Sequence, residues 1–128
     1  MTSPIVADIE ITVKNNFSEL QSNPATNEYF FVYNINIQNN SDYQVQLLSR
    51  KWFIFDSNTE MREVEGEGVV GVQPILSPNE SYNYFSGCLL NTGFGKMWGY
   101  YTFIRIADGH VFDVPIPEFQ MVLPWLKN

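Results

Sequence analysis

The sequence has few of the residues on which common biochemical functions depend. Its 128 residues include one cysteine, Cys88, and one histidine, His110. An internal disulfide is therefore excluded, and the usual structural zinc site lacks its ligands. Seven basic residues stand against fourteen acidic ones, which gives a formal net charge of −7. Because nucleic-acid binding depends on neutralising phosphates with basic side chains, this balance argues against a nucleic-acid partner.

Long apolar runs are also missing. No segment approaches the roughly 20 apolar residues that cross a bilayer, so no membrane span is predicted. The first ten residues, MTSPIVADIE, contain no basic residue and no long apolar run, unlike a signal peptide. Together with the single cysteine, these features predict a cytoplasmic protein.

The chain is rich in aromatic residues and in strand-like alternation. Phe, Tyr and Trp make up 16% of it, and their side chains supply large areas for burial. Apolar and polar residues alternate from Ile5 to Val13 and again from Tyr29 to Ile37, which is the period of a half-buried strand. The polar segment 15–27 between them is predicted to be a loop. No segment has helical periodicity over three turns.

The second half of the chain repeats this pattern in shorter segments. Further strands are predicted at Val45–Phe55, Met61–Glu65, Ser81–Phe85, Met97–Ile106 and His110–Ile116. Asp108-Gly109 is a pair favoured in two-residue hairpin turns, and a glycine-rich loop is predicted within 86–99. We therefore predict one domain over residues 1–128, an all-β antiparallel immunoglobulin-like or fibronectin-type-III-like β-sandwich of seven to eight strands. A closed small barrel is the structural alternative.

A glycine motif stands in the middle of the chain. Gly66, Gly68 and Gly71 match G-x-G-x-x-G, which in dinucleotide-binding proteins brings backbone amides to a pyrophosphate before a helix. The residues that follow, Val72-Gln73-Pro74, do not begin an amphipathic helix, so the dinucleotide interpretation fails. Either the glycines shape a tight connection between strands, or the loop amides form a nest that binds an anion.

Charged residues suggest two further sites. Arg50 and Lys51, the only adjacent basic pair, are candidates to hold a phosphate or carboxylate together with the glycine loop; alternatively, Arg50 pairs with a neighbouring acid. Glu63, Glu65 and Glu67 share one face of a regular strand and are weak candidates for a divalent cation such as Mg²⁺. The alternative is an ordinary solvated strand face.

Catalytic residues are not predicted. Asp108, His110 and Asp113 form a second possible cluster of metal ligands, for which a solvated surface is again the alternative. Nucleophilic catalysis at Cys88 would need a base, and no sequence argument brings His110 beside it. The sequence therefore indicates a protein without catalytic residues and without a cofactor.

Several motifs follow one another in a fixed order over nearly the whole chain. They are Val45–Arg50 with Trp52, Gly66–Gly71 with Gln73-Pro74, Ser86-Gly87-Cys88, Gly95 with Met97 and Gly99, and Phe112–Pro117 with Phe119. In these motifs the chain resembles the ApaG family. It departs from the family at Lys51, where histidine is usual, at Asn79, where glycine is, and at Leu89, where proline is.

The resemblance implies a fibronectin-like sandwich and a link of bacterial members to cobalt and magnesium resistance. It also implies protein binding, the role suggested for related domains in eukaryotic F-box proteins and in a polymerase-interacting protein. We predict a non-enzymatic interaction module with a protein partner. Its contact surface is expected at the Gly66–Gly71 loop with segment 86–99, or at an exposed strand edge. The alternative is a sensor of phosphate compounds or divalent cations. Exposed edges and Trp125 also make a homodimer plausible.

Overall fold

The structure is a computed structural model that describes residues 5–6, 8–58 and 60–126. It contains nine β-strands and two three-residue 3₁₀ helices, Pro24–Thr26 and Pro124–Leu126. The strands are β1 (Ile5–Val6), β2 (Ile9–Asn23), β3 (Glu28–Asn39), β4 (Val45–Asp56), β5 (Glu60–Glu67), β6 (Ile75–Leu76), β7 (Ser81–Leu90), β8 (Phe94–Arg105) and β9 (Val111–Val122). Over these residues, no helix has the length and apolar character needed to cross a membrane.

The strands form two antiparallel sheets. The first has the order β1-β2-β3-β7, and the second has the order β5-β4-β8-β9, with β6 pairing to β4. Alternate residues of both sheets are buried between them, because successive side chains of a strand point to opposite faces. The predicted all-β antiparallel sandwich is therefore confirmed, and the closed barrel is not observed. The immunoglobulin-like or fibronectin-like subclass stays a prediction.

The N-terminal strand differs from the prediction. The alternation from Ile5 to Val13 is not one strand, because the chain turns back at Asp8, whose φ is 63°, and β1 pairs with β2. The predicted polar loop at 15–27 is also wrong for most of its length, since β2 continues to Asn23. Phe17 explains part of this: its ring packs edge-on against Phe31 and Trp125, so a single aromatic residue anchors a polar segment to the core.

The predicted glycine-rich loop within 86–99 is much shorter than predicted. The strand β7 runs to Leu90 and β8 begins at Phe94, so the loop is limited to residues 91–93, and Gly87, Gly95 and Gly99 lie inside strands. A Cβ atom at Gly99 would stand 1.9 Å from the carbonyl oxygen of Lys51, and one at Gly87 would stand 2.1 Å from the ring of Phe30. These glycines therefore mark close approaches within and over a sheet rather than flexible connections.

The β8–β9 hairpin lies where Asp108-Gly109 predicts it, but its turn is longer than two residues. Arg105 donates its amide to the carbonyl of His110, and Gly109 donates to the carbonyl of Arg105, each at 2.8 Å. Only Gly109 of the favoured pair has a positive φ, 73°. The side chain of Asp108 instead forms an ion pair with Arg105 at 2.8 Å, which stabilises the four-residue loop.

One side of the sandwich is closed and the other is open. At the closed side β2 packs against β9. At the open side β5 is the outermost strand of the second sheet and β7 is the outermost strand of the first. A cavity separates these two edges and is lined by residues from both. This β5–β7 cleft is where the structure brings charged and apolar side chains together.

Candidate functional site

The β5–β7 cleft has a volume of about 240 Å³. Its floor is apolar and buried, and its walls are more polar. The floor consists of Tyr33, Trp52, Ile54 and Met97; the β5 wall consists of Arg62 and Val64; the β7 wall is formed by residues 86–89; and Arg50 also lines the cavity. Two arginines therefore line the cavity together with a buried apolar floor.

Arg62 spans the opening from β5 to β7. Its Nη2 donates to the carbonyl oxygen of Leu89 at 2.6 Å and lies 3.8 Å from the sulfur of Cys88. No carboxylate of the described residues forms an ion pair with it. The guanidinium thus links the two edges through a carbonyl.

Arg50 lies against the glycine loop. Its Nη1 donates to the carbonyl oxygens of Glu67 at 3.1 Å and Gly68 at 2.9 Å. Gly66 pairs with Arg50 across the sheet, and a Cβ atom there would stand 2.7 Å from that nitrogen. Glycine at position 66 therefore leaves the space in which the guanidinium lies. The ion pair considered for Arg50 does not form among the described residues.

The glycine loop uses its amides internally. The amide of Gly68 donates to the carbonyl of Leu48 at 2.8 Å, and Val69 and Val72 exchange amide–carbonyl bonds at 2.7 and 3.0 Å. Gly68 and Gly71 have φ values of 62° and 77°, a region that glycine enters without steric cost. These contacts support the interpretation of the motif as a tight connection between strands, with carbonyls rather than amides directed at Arg50.

The side chain of Lys51 points away from that of Arg50, because neighbouring residues of a strand point to opposite faces. Both residues nevertheless line a cavity of about 350 Å³ together with residues 65–67. Its Nζ forms an ion pair with Glu63 at 2.8 Å and a second one with Glu65. Hydrogen bonds to these two carboxylates raise the pKa of Lys51. Glu63, Glu65 and Glu67 thus share a face as predicted, but a lysine lies where a cation was considered. In the part of the chain that the structure describes, no group of three or more acidic, histidine or cysteine residues is arranged to hold a metal ion.

The remaining reactive residues lie apart from one another. Cys88 lines the β5–β7 cleft, and burial raises the pKa of its thiol to about 11. His110 lines a different cavity, of about 100 Å³, beside Arg105. Asp108 is paired with Arg105, and Asp113 accepts a hydrogen bond from the hydroxyl of Thr102 at 2.7 Å. The residues considered as metal ligands at this hairpin therefore have separate partners.

Sequence reasoning did not propose a role for Arg62 or Tyr33, and it named Ser86 only within a motif and the segment 86–99. Arg62 is the residue between acids on β5, Tyr33 belongs to an alternating strand, and Ser86 was assigned to a loop. Burial raises the pKa of Tyr33, although a hydrogen bond with Ser86 opposes that effect. The period of two was a usable signal for Arg62, since it places this residue on the face opposite Glu63.

Known proteins resemble this chain over most of its length. The ApaG domain matches residues 19–105. Protein ApaG of Azoarcus sp. (strain BH72) is 45% identical over 116 residues, which are 91% of this chain and 91% of that protein. Protein ApaG of Methylobacterium radiotolerans is 46% identical over 120 residues, covering 94% of this chain and 92% of that one.

A solved structure agrees with these sequence matches. The crystal structure of the ApaA protein from Bordetella pertussis superimposes with a TM-score of 0.88 at 39% identity, and the match covers 91% of this chain and 94% of that one. The family that the motifs suggested is thus matched by sequence and by fold. The chain belongs to the ApaG family.

Proposed function

We propose that the protein is a non-enzymatic binding module that takes an extended segment of a protein partner at the β5–β7 side of the sandwich. The observation that carries this proposal is the edge strand β5. It is eight residues long, and every residue but Gly66 is exposed. Met61 and Val64 expose 52% and 40% of their surface. A long edge with exposed apolar side chains is a template for pairing with another chain.

The opposite edge of the cleft has the same character. On β7, Phe85 is 66% exposed and Leu89 is 38% exposed. A peptide that adds a strand to one of these edges gains main-chain hydrogen bonds there, and alternate side chains enter the neighbouring pocket. The β5–β7 cleft lies directly between the edges, so strand addition at either one places a side chain over its aromatic floor.

The chemistry of the cleft favours binding over catalysis. A thiol is a nucleophile only as the thiolate, and burial keeps Cys88 protonated at neutral pH. The one histidine lines another cavity, so no base stands beside it. These observations support the proposal that the protein has no catalytic residues.

Site-specific photo-crosslinking in the cells that make the protein tests the proposal. A photoreactive amino acid would replace Val64 on β5, and a matched control would replace Val111 on β9, the outermost strand at the other end of the same sheet. Val111 is 53% exposed, so both probes face solvent. We expect a defined crosslinked protein from position 64 and none of that mass from position 111. The same products from both positions, or none from 64, would refute the proposal.

The alternative of a phosphate or cation sensor has less support. Lys51 already forms ion pairs with Glu63 and Glu65, and the amides of the glycine loop are largely paired. A link to cobalt and magnesium resistance follows from the family resemblance alone. Growth of a deletion strain in Co²⁺ tests it, and growth equal to that of the parent strain would remove it.

A further inference from the structure

Two arginines in the β5–β7 cleft keep most of their hydrogen-bonding capacity free. A guanidinium has five N–H donors. Arg50 uses only Nη1, on two carbonyls, and Arg62 uses only Nη2, on a carbonyl and a sulfur. None of these acceptors carries a negative charge. Within the described residues, both cations therefore lack an anionic partner, although each is fixed in position by backbone carbonyls.

The size and lining of the cleft restrict the anion that fits. Pockets for small-molecule ligands usually measure roughly 300–1,000 Å³, whereas this one measures about 240 Å³, the scale of a side chain rather than of a nucleotide. Its floor contains Trp52, Ile54 and Met97, which are buried and apolar. An apolar group must therefore enter together with the charge.

The charge of the whole chain restricts the ligand further. The formal net charge is −7. The electrostatic field of a negatively charged protein repels a polyanion more than it repels a ligand with a single negative charge. A carboxylate bears one charge, and its two oxygens match the fork of a guanidinium. A phosphate group carries more charge and gains less from an aromatic floor.

We propose that the β5–β7 cleft binds a peptide carboxylate that stands beside an apolar side chain. Arg50 and Arg62 hold the carboxylate, and the apolar side chain packs on Trp52. The carboxylate belongs either to the C-terminus of the partner segment or to an Asp or Glu within it. This inference rests on the proposed peptide-binding function and specifies the chemistry that the cleft recognises.

Titration of the ¹⁵N-labelled protein with small probes tests the proposal. N-acetyl-phenylalanine presents a terminal carboxylate, and N-acetyl-aspartyl-phenylalaninamide presents a side-chain carboxylate. N-acetyl-phenylalaninamide is the neutral control, and phenyl phosphate is the phosphate control. We expect one of the two carboxylates to shift the amide signals of residues 86–89 and the indole signal of Trp52, with at least about ten-fold higher affinity than the neutral amide.

Variants assign the binding to the two arginines. Arg50→Gln and Arg62→Gln should each weaken carboxylate binding by about ten-fold. Arg105→Gln is the matched control, since it removes the same charge from a guanidinium already paired with Asp108, and it should leave the affinity unchanged. Gly66→Ala tests the role of Arg50 in a second way. Its methyl group would overlap the guanidinium of Arg50, so it would displace a flexible side chain rather than backbone.

Each result decides the proposal. Equal affinity for the neutral amide, tighter binding of phenyl phosphate, or no shift at 10 mM carboxylate would each overturn it, as would equal losses in Arg62→Gln and Arg105→Gln. A failed titration combined with a specific crosslink from Val64 would leave the peptide-binding function standing and remove only the carboxylate. A specific carboxylate site without any crosslink would leave carboxylate binding at the cleft standing and remove the binding of a protein partner.

Discussion

Replacing glycines of the Gly66–Gly71 loop with alanine separates backbone strain from close packing. Gly68 and Gly71 both have left-handed φ values, 62° and 77°. A Cβ atom at Gly71 meets nothing within 4 Å, whereas one at Gly68 would stand 2.1 Å from the carbonyl oxygen of Val72. Both substitutions therefore place a Cβ on a left-handed backbone, and only Gly68→Ala adds a steric clash.

The shared cost is the left-handed conformation, about 1–2 kcal/mol for a residue with a Cβ. Alanine also lowers the entropy of the unfolded chain, which stabilises the folded state by about 0.4–1 kcal/mol. Gly71→Ala should therefore lower the free energy of unfolding by about 1 kcal/mol. In Gly68→Ala the clash forces the Val69–Val72 pair and the Gly68–Leu48 bond apart. At about 1 kcal/mol for each broken bond, the total loss is about 3–4 kcal/mol.

Urea unfolding followed by tryptophan fluorescence measures both changes. The denaturant slope is about 1–3 kcal/mol per molar urea for small proteins, so Gly68→Ala should shift the midpoint by more than about 1 M and Gly71→Ala by less. Equal midpoints for the two variants would refute the packing argument. A shift smaller for Gly68→Ala than for Gly71→Ala would show that the loop moves freely away from Val72.

Three further changes test other parts of the structure. Tyr84→Phe or Tyr101→Phe should each cost about 1–3 kcal/mol, because the two buried hydroxyls bond each other and a single change leaves one unpaired. The double variant should then lose less than the sum in urea unfolding, and additivity would contradict the pairing. Hydrogen bonding to Arg105 holds the pKa of Asp108 at about 2, so the stability that this carboxylate contributes is present above its unfolded pKa and is lost as the pH falls towards 2. Arg105→Gln should raise that pKa in a carboxyl ¹³C titration, and an unchanged curve would argue against the pair. Because burial raises the pKa of Cys88 from 9.0 to about 11, its reaction with a disulfide reagent at pH 8 should be about 100-fold slower than in urea, and equal rates would exclude the burial.

The strands that have one apolar face could be predicted from the sequence. Periodicity located β3 and β4 nearly to their ends, because half-buried strands must alternate. It missed the second half of β2, where a single residue, Phe17, attaches a polar strand to the core. It also assigned Gly87 to a loop, since the sequence alone does not reveal the ring of Phe30 that requires a glycine at this position.

Only part of the candidate site could be predicted from the sequence. Arg50 contacts the glycine loop, and the sequence could suggest this because the two lie on strands that were predicted to be neighbours in the chain and are paired. Lys51 lines one cavity with Arg50 and residues 65–67, but its side chain lies on the opposite face of β4, where it pairs with Glu63 and Glu65. Arg62 was missed because its hydrogen-bond partner, Leu89, lies 27 residues away on the other sheet. A local sequence pattern does not predict a contact between the edges of two sheets.

The orientation of the glycine loop gives it a role in the proposed carboxylate binding without contact with the ligand. In dinucleotide-binding proteins the glycines bring amides to an anion; here the carbonyls of Glu67 and Gly68 hold the cation of Arg50, which itself lines the cleft. A change that moves the carbonyl of Gly68 should therefore weaken carboxylate binding, whereas one at the open position of Gly71 should not. We expect Gly68→Ala to reduce the affinity for the carboxylate probe by about ten-fold and Gly71→Ala to change it by less than about two-fold. The folded fraction of each variant, measured in the same ¹⁵N spectra, controls for instability. If the folded Gly68→Ala protein binds the probe as tightly as the parent, the loop does not position Arg50.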